Sequence, residues 1–502
     1  MKKRIILAGF MAIAMTGCMD KFLTVYPETE LSLDTFFKTE ADFKQAVNGA
    51  YAPLRALANN TAWKLMELHS DNAYYGRNTL FGAVDATQDL ANFAVPTANG
   101  VTANDNVLQH YRQSYLIISR CNQILTLIDG VDFNEDSKKN LKGQALFLRA
   151  HAYFDLVRLF GKVPLHLAPV SNRQEAALPL ATTEELYKQI ESDAKLASEL
   201  LLDKTKQEAG RVTSGSAKTL LANLYLIKGD WAAAETQAKS VITSGGYSLI
   251  PEYADAFSTS TTNKNNSESV FEVQFLEGSA GFAGGFIYAF LPRPMKSAEL
   301  APITGTSNPQ DLSEEGNNIP TPDLIAAYED NDKREAATIA YVTLSQSSRD
   351  NKVYPYIKKY AKPHAQHGNT GINWPIYRYA EVLLFMAEAL NEQGKPGEAA
   401  TYLNQVRTRA GLANTTATSQ ADMKVAIQKE RRVELAFENK RWFDLVRTGT
   451  SKAVIAEYGK RVMQNPLDYY FPDNAKAPAN SFTILDDYYG LPAVESALSP
   501  YF

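Results

Sequence analysis

Two stretches of this chain repeat one spaced pattern of small residues, and this repetition restricts the fold more than any other feature of the sequence. The pattern is an alanine, a glycine seven positions later and an alanine five positions after that. It occurs as Ala222, Gly229 and Ala234, and again as Ala387, Gly394 and Ala399. Small side chains let two antiparallel helices approach closely, and glycine readily adopts the left-handed conformation that ends a helix. The repetition therefore predicts two helix pairs, each with a glycine at its turn.

Helical periodicity extends well beyond these two pairs. Thr39 followed by Asp42, and Thr182 followed by Glu185, are typical of the capped start of a helix. Apolar residues recur at three- and four-residue steps in the stretches 107–128, 141–160, 182–202, 216–244, 377–409 and 421–447. Ala238 and Val241 also occupy positions that resemble the packing positions of a tetratricopeptide repeat.

The remaining stretches are long and rich in Gly, Pro, Asn, Ser and Thr. They are 70–105, 256–322, 341–374 and 448–502, and a strand-like run at 269–275 lies inside one of them. Loops of this length in a compact protein are usually functional or mobile. We therefore predict an all-α fold, a tetratricopeptide-repeat-like helical scaffold with long irregular loop regions and minor β structure.

The amino terminus has the form of a secretory leader. Lys2 to Arg4 are basic, and the apolar stretch 5–15 is shorter than the roughly 20 residues that a membrane-spanning helix needs. The sequence Thr16-Gly17-Cys18 resembles a bacterial lipobox, in which the cysteine is acylated after cleavage. We predict that residues 1–17 are a lipoprotein signal peptide and that Cys18 is the lipidation site. An ordinary leader with an incidental cysteine is the alternative.

Charge and composition exclude several classes of function. Loss of the three basic leader residues changes the formal net charge from −5 to −8, which disfavours nucleic acid as ligand, because neutralising its phosphates requires a concentrated basic surface. The sequence contains neither an HExxH zinc motif nor a Gly-rich phosphate loop, and of its histidines only His364 and His367 lie close together. We expect no catalytic residues, no metal site and no cofactor. The second cysteine, Cys121, lies in a helical-looking run and is expected to be a buried thiol.

A charged block near the carboxyl end invites interpretation as a catalytic cluster. Its members recur at three- and four-residue spacings, which on one helix would place them on neighbouring turns. Bidentate bonds between arginine and carboxylate could also clamp such a helix against its neighbours. We interpret this block as a structural charge cluster: Glu430, Glu434, Glu438, Arg441, Asp444 and Arg447.

The loops contain mixtures of aromatic and polar residues that suit a sugar ligand. Sugar rings present flat apolar faces to aromatic side chains, while amide, carboxylate and guanidinium groups replace water on the hydroxyls. Residues 280–294 offer Phe282, Phe286, Tyr288 and Phe290 in a glycine-rich run. The predicted ligand-binding candidates are Asp71, Asn72, Tyr74, Tyr75, Arg77, Phe81, Phe286, Tyr288 and Trp374.

Several segments, in order across nearly the whole mature chain, resemble the SusD/RagB family. They include the start CMDKFLTVYPETELSLDTFFKTEADFKQAVNGAY and the block FLRAHAYFDLVRLFGKVPL at 147–165. The most specific is ERRVELAFENKRWFDLVRTG at 430–449, which is similar to the family pattern E-R-x-x-E-L-x-x-E-x-x-R-x-x-D-L-x-R. The resemblance implies one SusD/RagB-like domain over 18–502, with an amino-terminal part at about 19–250 and a carboxyl-terminal part at about 260–502.

The same resemblance implies a function. A protein of this family would bind an oligosaccharide or polysaccharide at the cell surface without catalysis and deliver it to a TonB-dependent, SusC-like channel of the outer membrane. It would be anchored in the outer membrane by its lipid and face the cell exterior, and it would need no cofactor. Three alternatives remain open: an oligopeptide-binding lipoprotein of the same family, a lipid-anchored hydrolase, and a periplasmic protein-docking scaffold.

Overall fold

The computed structural model describes residues 36–76, 86–93, 101–260, 264–313, 316–347, 352–471, 476–478, 481–484 and 486–501. Most of these residues are helical, which confirms the predicted fold class. The helices are α1 Glu40–Ala56, α2 Ala86–Ala91, α3 Asp105–Leu127, α4 Glu135–Phe160, α5 Arg173–Ala176, α6 Thr183–Leu200, α7 Ser214–Lys228, α8 Trp231–Ile242, α9 Ser297–Thr304, α10 Pro322–Ile325, α11 Lys333–Thr338, α12 Tyr379–Glu392, α13 Pro396–Arg409, α14 Gln420–Glu434, α15 Arg441–Arg447, α16 Ser451–Gln464 and α17 Ala493–Leu498.

The strands are short and form two-stranded sheets between the helices. They are β1 Ala73–Gly76, β2 Val101–Thr102, β3 Val163–Pro164, β4 Leu180–Ala181, β5 Ser269–Val273, β6 Gly316–Pro320, β7 Ile339–Thr343, β8 Val353–Ile357, β9 Trp374–Arg378 and β10 Leu491–Pro492. β1 pairs with β6, β3 with β4, β5 with β9 and β7 with β8, all antiparallel, whereas β2 and β10 are parallel. The strand-like run at 269–275 is therefore confirmed as β5.

The two repeated patterns form the predicted helix pairs. α7 and α8 are joined at Gly229, and α12 and α13 at Gly394, with left-handed φ values of 72° and 75°. The pattern alanines are fully buried in both pairs: Ala222, Ala234, Ala387 and Ala399. α8 also packs against α12, so the two pairs lie side by side although about 150 residues of sequence separate them.

The amino-terminal helices continue the same scaffold. α3 packs on α4, α4 on α6 and α6 on α7, so successive long helices pack as neighbours. The capping boxes predicted at Thr39 and Thr182 are both present, at the starts of α1 and α6. α4 begins six residues before the predicted stretch because the side chain of Asn134 accepts the N–H of Ser137 and caps its first turn.

The stretch 421–447 is not the single helix that its periodicity predicts. α14 and α15 are separated by a turn in which Phe437 and Asn439 have positive φ values of 65° and 62°. Buried side chains from distant segments satisfy the backbone groups that the turn releases. Glu67 accepts the N–H of Asn439 at 2.9 Å, and the hydroxyl of Tyr360 donates to the carbonyl of Phe437 at 2.9 Å.

Two further features of the described residues bear on the sequence predictions. The stretch 448–502, predicted to be irregular, contains the 14-residue helix α16, whose inner face carries Ile455, Tyr458 and Val462. Cys121 is fully buried on α3, as expected. No helix within the described ranges combines the length and the apolar character that crossing a bilayer requires. The leader and Cys18 lie outside the described residues.

Candidate functional site

The candidates around β1 lie in the interior. Asp71, Asn72, Tyr74 and Tyr75 are all buried, and Tyr74 has no exposed surface. The hydroxyl of Tyr74 donates to Oδ1 of Asn92 at 2.6 Å, and Nδ2 of Asn92 donates to the hydroxyl of Tyr75 at 2.9 Å. Their hydroxyls bond inside the protein, so neither ring offers a face to a ligand. Arg77 and Phe81, the other candidates of this loop, lie outside the described residues.

The remaining aromatic candidates also belong to the core. Trp374, which is 1% exposed, stacks on Tyr360 with ring centroids 5.2 Å apart, and Phe286 meets it edge-on at 5.2 Å. Tyr288 is buried and its hydroxyl lies 2.6 Å from Nε2 of His364. The sequence predicted that these rings lie in exposed loops. In the structure the irregular segments lie over the helical scaffold, and their aromatic side chains point inward and pack in the core.

The charged block is a buried ion network, but its geometry differs from the predicted one. Glu434 is fully buried and lies within ion-pair distance of three arginines from other elements: Arg334, Arg378 and Arg409. Glu430 is paired with Arg334 and with Arg407 at 3.1 Å. These partners come from α11, β9 and α13 rather than from the same helix face. The network therefore clamps α14 against its neighbours, as the structural interpretation requires.

Glu438 belongs to the same network although it lies in the turn after α14. It accepts bonds from Arg378 at 2.8 Å and from Nζ of Lys359 at 2.7 Å, all deep in the core. Burial opposes ionisation, but these two cations outweigh it and hold the pKa of Glu438 below its usual value. An ionised, fully paired carboxylate is a poor general acid, so this residue has a structural role.

α15 supplies the last three members of the cluster. Arg441 forms a bidentate pair with Asp71, at 2.6 and 2.9 Å. Asp444 accepts from Nε of Arg431 at 2.9 Å and from Nε of Arg447 at 2.8 Å. Arg447 also pairs with Glu388 on α12. The candidate Asp71 is thus part of the buried scaffold rather than a free sugar ligand.

An open cleft of about 630 Å³ lies elsewhere, between α1, the turn before α7, β5 and the loop that follows β5. We call it the Phe282 cleft. The side chains that line it include aromatic rings, amides, carboxylates and guanidinium groups: Gln45, Asn48, Tyr51, Arg55, Glu208, Arg211, Phe271, Glu272, Gln274 and Phe282. This mixture of flat apolar faces and planar polar groups is the one that sugar recognition requires.

Two aromatic rings in this cleft are each covered by a guanidinium group. Phe282 is 45% exposed, and the guanidinium carbon of Arg55 lies 4.7 Å from its ring centroid. Arg211 lies 5.2 Å from the centroid of Tyr51, whose hydroxyl accepts the N–H of Val212 at 3.1 Å. Cation–π contacts of this kind hold a ring and a hydrogen-bond donor at the same surface.

The polar side chains of the cleft are also held in place. Nε2 of Gln274 donates to Oδ1 of Asn265 at 2.9 Å and to the carbonyl of Glu272 at 2.8 Å. A Cβ at Gly210 would lie 2.9 Å from the Gln274 side chain, and Gly210 has a φ of +86°, so only glycine suits this turn. Arg211 donates to Asn48 across the cleft.

Phe282 is one of the loop aromatic residues named in the sequence, but it is not among the predicted ligand-binding candidates. Its glycine neighbours were the available signal, because Gly281, Gly284 and Gly285 leave the ring few side chains to pack against. The residues that α1 contributes to the cleft follow the helical periodicity of the sequence. Gln45, Asn48 and Arg55 recur at helical spacing on the face opposite the buried residues of α1. Nothing local indicated that this face and the 280–294 loop would meet.

Histidines do not assemble a metal centre in the described ranges. His364 lies against Tyr288, and the ring of His367 packs 4.2 Å from the same tyrosine ring. No group of three His, Cys, Asp or Glu side chains there is arranged to hold a metal ion.

Comparison with known proteins gives two family matches. The model described as the SusD family matches residues 328–499, and the model described as starch-binding associating with outer membrane matches residues 21–226. The two matches do not overlap. The SusD-like protein P2 of Formosa agariphila is 29% identical over 514 aligned positions, covering 94% of this chain and 96% of that protein.

Solved structures give the same fold. A laminarin binding SusD-like protein matches with a TM-score of 0.73 at 24% identity, covering 92% of this chain and 98% of its own. Surface glycan-binding protein A from Bacteroides uniformis matches with a TM-score of 0.73 at 27% identity, covering 92% and 99%. The helical scaffold with its small sheets is therefore shared across nearly the full length of these proteins.

Proposed function

Because this chain belongs to the SusD/RagB family, we propose that it binds a neutral glucan in the Phe282 cleft and passes it unchanged to an outer-membrane transporter. The relatives described as starch-binding and laminarin binding support a role in glycan binding rather than catalysis. The observation that carries the assignment of the site is the exposed ring of Phe282 under the guanidinium of Arg55, in a cleft lined by fixed amides.

The geometry of the cleft suits binding of a saccharide better than its hydrolysis. An exposed phenyl face can stack on the C–H face of a sugar ring, and the exposed amides of Asn48 and Gln45 offer donors and acceptors for the hydroxyls. Of the two carboxylates at the cleft, Glu272 is buried and its Oε1 accepts bonds from Asn265 and Asn373, each at 2.7 Å. Glycoside hydrolysis requires two available carboxyl groups, and of the two at this cleft only Glu208 is available.

A neutral glucan is the substrate class that the relatives favour. One matching family model is described as starch-binding, and one structural neighbour is described as laminarin binding. Both polymers are uncharged glucans. The cleft has two arginines and two glutamates among its lining residues, so it has no excess charge to select an acidic sugar.

The family match and the predicted leader support a cellular setting at the outer membrane. The matching family model is described as associating with the outer membrane. We propose that acylated Cys18 anchors the protein there, that the described residues face the cell exterior, and that a TonB-dependent, SusC-like channel receives the glycan. The protein would concentrate the ligand at the mouth of the channel, and energised import would be the work of the channel.

Calorimetric titration of the mature protein with laminarihexaose and maltohexaose tests this proposal. We expect saturable binding of at least one of them, and we expect Phe282→Ala to weaken it by about tenfold, because a stacking ring contributes about 1–3 kcal/mol. Tyr341→Ala is the matched control, since Tyr341 is 54% exposed but lies outside the cleft. Equal affinity in the Phe282 variant and the wild type would place the glycan elsewhere.

The same samples test the absence of turnover. Chromatography of the hexaoses after prolonged incubation should recover them intact, and appearance of shorter oligosaccharides would replace the binding function with hydrolysis. An oligopeptide mixture titrated in parallel should give no heat. Peptide binding without glucan binding would identify the protein as an oligopeptide carrier.

A further inference from the structure

A second open groove, with no lining residue in common with the Phe282 cleft, lies between α3, the segment from β3 to α5, and α17. Its volume is about 640 Å³. We call it the tyrosine groove, and its main walls are Tyr111, Tyr115, Pro164, His166, Arg173 and Leu498. Tyr111 is buried in the hydrophobic core and Tyr115 packs against that core, whereas Arg173 and Leu498 are exposed.

One wall of the groove is aromatic and held in place. Tyr111 and Tyr115 are four residues apart on α3, and their ring centroids are 4.7 Å apart. The hydroxyl of Tyr115 donates to the carbonyl of Pro164 at 2.6 Å, which fixes the ring against β3. Leu498 on α17, another lining residue of the groove, is 56% exposed.

The charges around the groove do not balance. Nε of Arg112 pairs with Oε1 of Glu495 at 2.6 Å, and this pair holds α17 beside α3. Arg173 is exposed at the rim and has no carboxylate within ion-pair distance among the described residues. Glu175, two residues further on, accepts bonds from Ser171 and Asn172 instead. Burial lowers the pKa of His166, so the excess positive charge near neutral pH is that of Arg173.

We propose that the tyrosine groove is a second saccharide site, specific for a uronic-acid oligosaccharide. Arg173 binds the carboxylate of one residue, and the C–H face of the sugar ring lies between Tyr115 and Leu498. A planar guanidinium pairs with a carboxylate through two parallel bonds, so Arg173 can orient the ring as well as attract it. The proposal rests on the proposed function only in taking the ligand to be a glycan, and it adds a charged ligand to the neutral one of the Phe282 cleft.

Titration of the full mature protein with tetragalacturonate tests this site. Binding should be saturable, about tenfold weaker in Arg173→Gln, and weaker in 0.5 M NaCl than in 0.05 M, because charge-assisted bonds are strong and exposed charges are screened. Leu498→Ala removes an exposed apolar wall and should also weaken binding. Lys239→Gln, which removes an exposed positive charge from α8, is the matched control and should bind as the wild type does.

The outcomes separate the two sites. Tetragalacturonate binding that persists in Phe282→Ala and is lost in Arg173→Gln supports the tyrosine groove, whatever laminarihexaose does. Loss in Phe282→Ala, or full affinity in Arg173→Gln, overturns it and leaves a single glycan site. No binding of tetragalacturonate while laminarihexaose binds overturns this inference alone. Binding of tetraglutamate as tight as that of tetragalacturonate would show a general anion site and overturn the assignment to a saccharide.

Discussion

Arg441 and Asp71, 370 residues apart in the sequence, form a bidentate ion pair at 2.6 and 2.9 Å. Asp71 is 1% exposed, and Nη2 of Arg432 approaches the same carboxylate at 2.9 Å. The pair connects the segment before β1 to α15 through the interior of the protein. A contact so distant in sequence forms only when both halves are folded and docked, so it reports on the whole domain.

Arg441→Ala should destabilise the protein by about 2–4 kcal/mol, because it leaves a buried carboxylate with one arginine instead of two. The loss should appear as a lower midpoint in urea denaturation followed by circular dichroism. Glucan affinity of the folded protein should not change, since Arg441 does not line the Phe282 cleft. Weakened binding at unchanged stability would move the charged cluster from the scaffold to the ligand site.

An exposed ion pair provides the control for that measurement. Lys460 and Glu457 on α16 are close in space, but both side chains are more than half exposed. Solvent screens such a pair, so Lys460→Ala should leave the urea midpoint where it is. Equal effects of Lys460→Ala and Arg441→Ala would mean that burial adds nothing to the Arg441 pair.

Acid should weaken the network through Asp444. Burial disfavours its charge, but Arg431 and Arg447 outweigh burial and lower the pKa of Asp444 to about 2. Because this pKa is below 3.8, the usual pKa of an aspartate side chain, the carboxylate contributes stability above pH 4 that is lost as the pH falls towards 2, about 2 kcal/mol in all. Denaturation series between pH 5 and 2 should show a shallower decline for Asp444→Asn than for the wild type. Parallel declines in stability for the wild type and the Asp444→Asn variant would contradict the low pKa of Asp444.

The helical scaffold could be predicted from the sequence because its signals are local. The spacing of Ala222, Gly229 and Ala234 lies within one helix pair, and a capping box spans four residues. The break between α14 and α15 could not be predicted in this way. It depends on Glu67 and Tyr360, which reach Asn439 and Phe437 from distant parts of the chain.

The burial of the described ligand candidates could not be predicted for a related reason. Trp374 was chosen because it stands in a loop-like run, yet it lies in β9 and packs between Phe286 and Tyr360. Trp374→Ala should therefore cost about 3–5 kcal/mol of stability through the cavity that it leaves. Thermal unfolding checks this, and a stable Trp374 variant with weakened glucan binding would return the ring to the ligand site.

Two glycines should respond to alanine in opposite directions. A Cβ at Gly215 on α7 would lie 2.4 Å from the hydroxyl oxygen of Tyr247, whereas a Cβ at Gly49 on α1 meets nothing within 4 Å. Alanine favours a helix over glycine by up to about 1 kcal/mol, so Gly49→Ala should stabilise the protein. Gly215→Ala should destabilise it by about 1–2 kcal/mol, because overpacking exceeds that gain. Equal shifts in unfolding midpoint would show that Tyr247 moves aside freely.

Cys18→Ala should release the protein from the outer membrane. We expect the predicted leader to be removed on export, and its apolar stretch is too short to span a bilayer, so acylation of Cys18 is the proposed anchor. Cys121→Ala is the control, since that thiol is fully buried and burial raises its pKa to about 12, which leaves it neither accessible nor reactive. Fractionation of cells that lack the partner channel should find Cys121→Ala in the membrane and Cys18→Ala in the soluble fraction. If Cys18→Ala sediments with the membrane in those cells, the lipid anchor is wrong and another part of the chain holds the protein there.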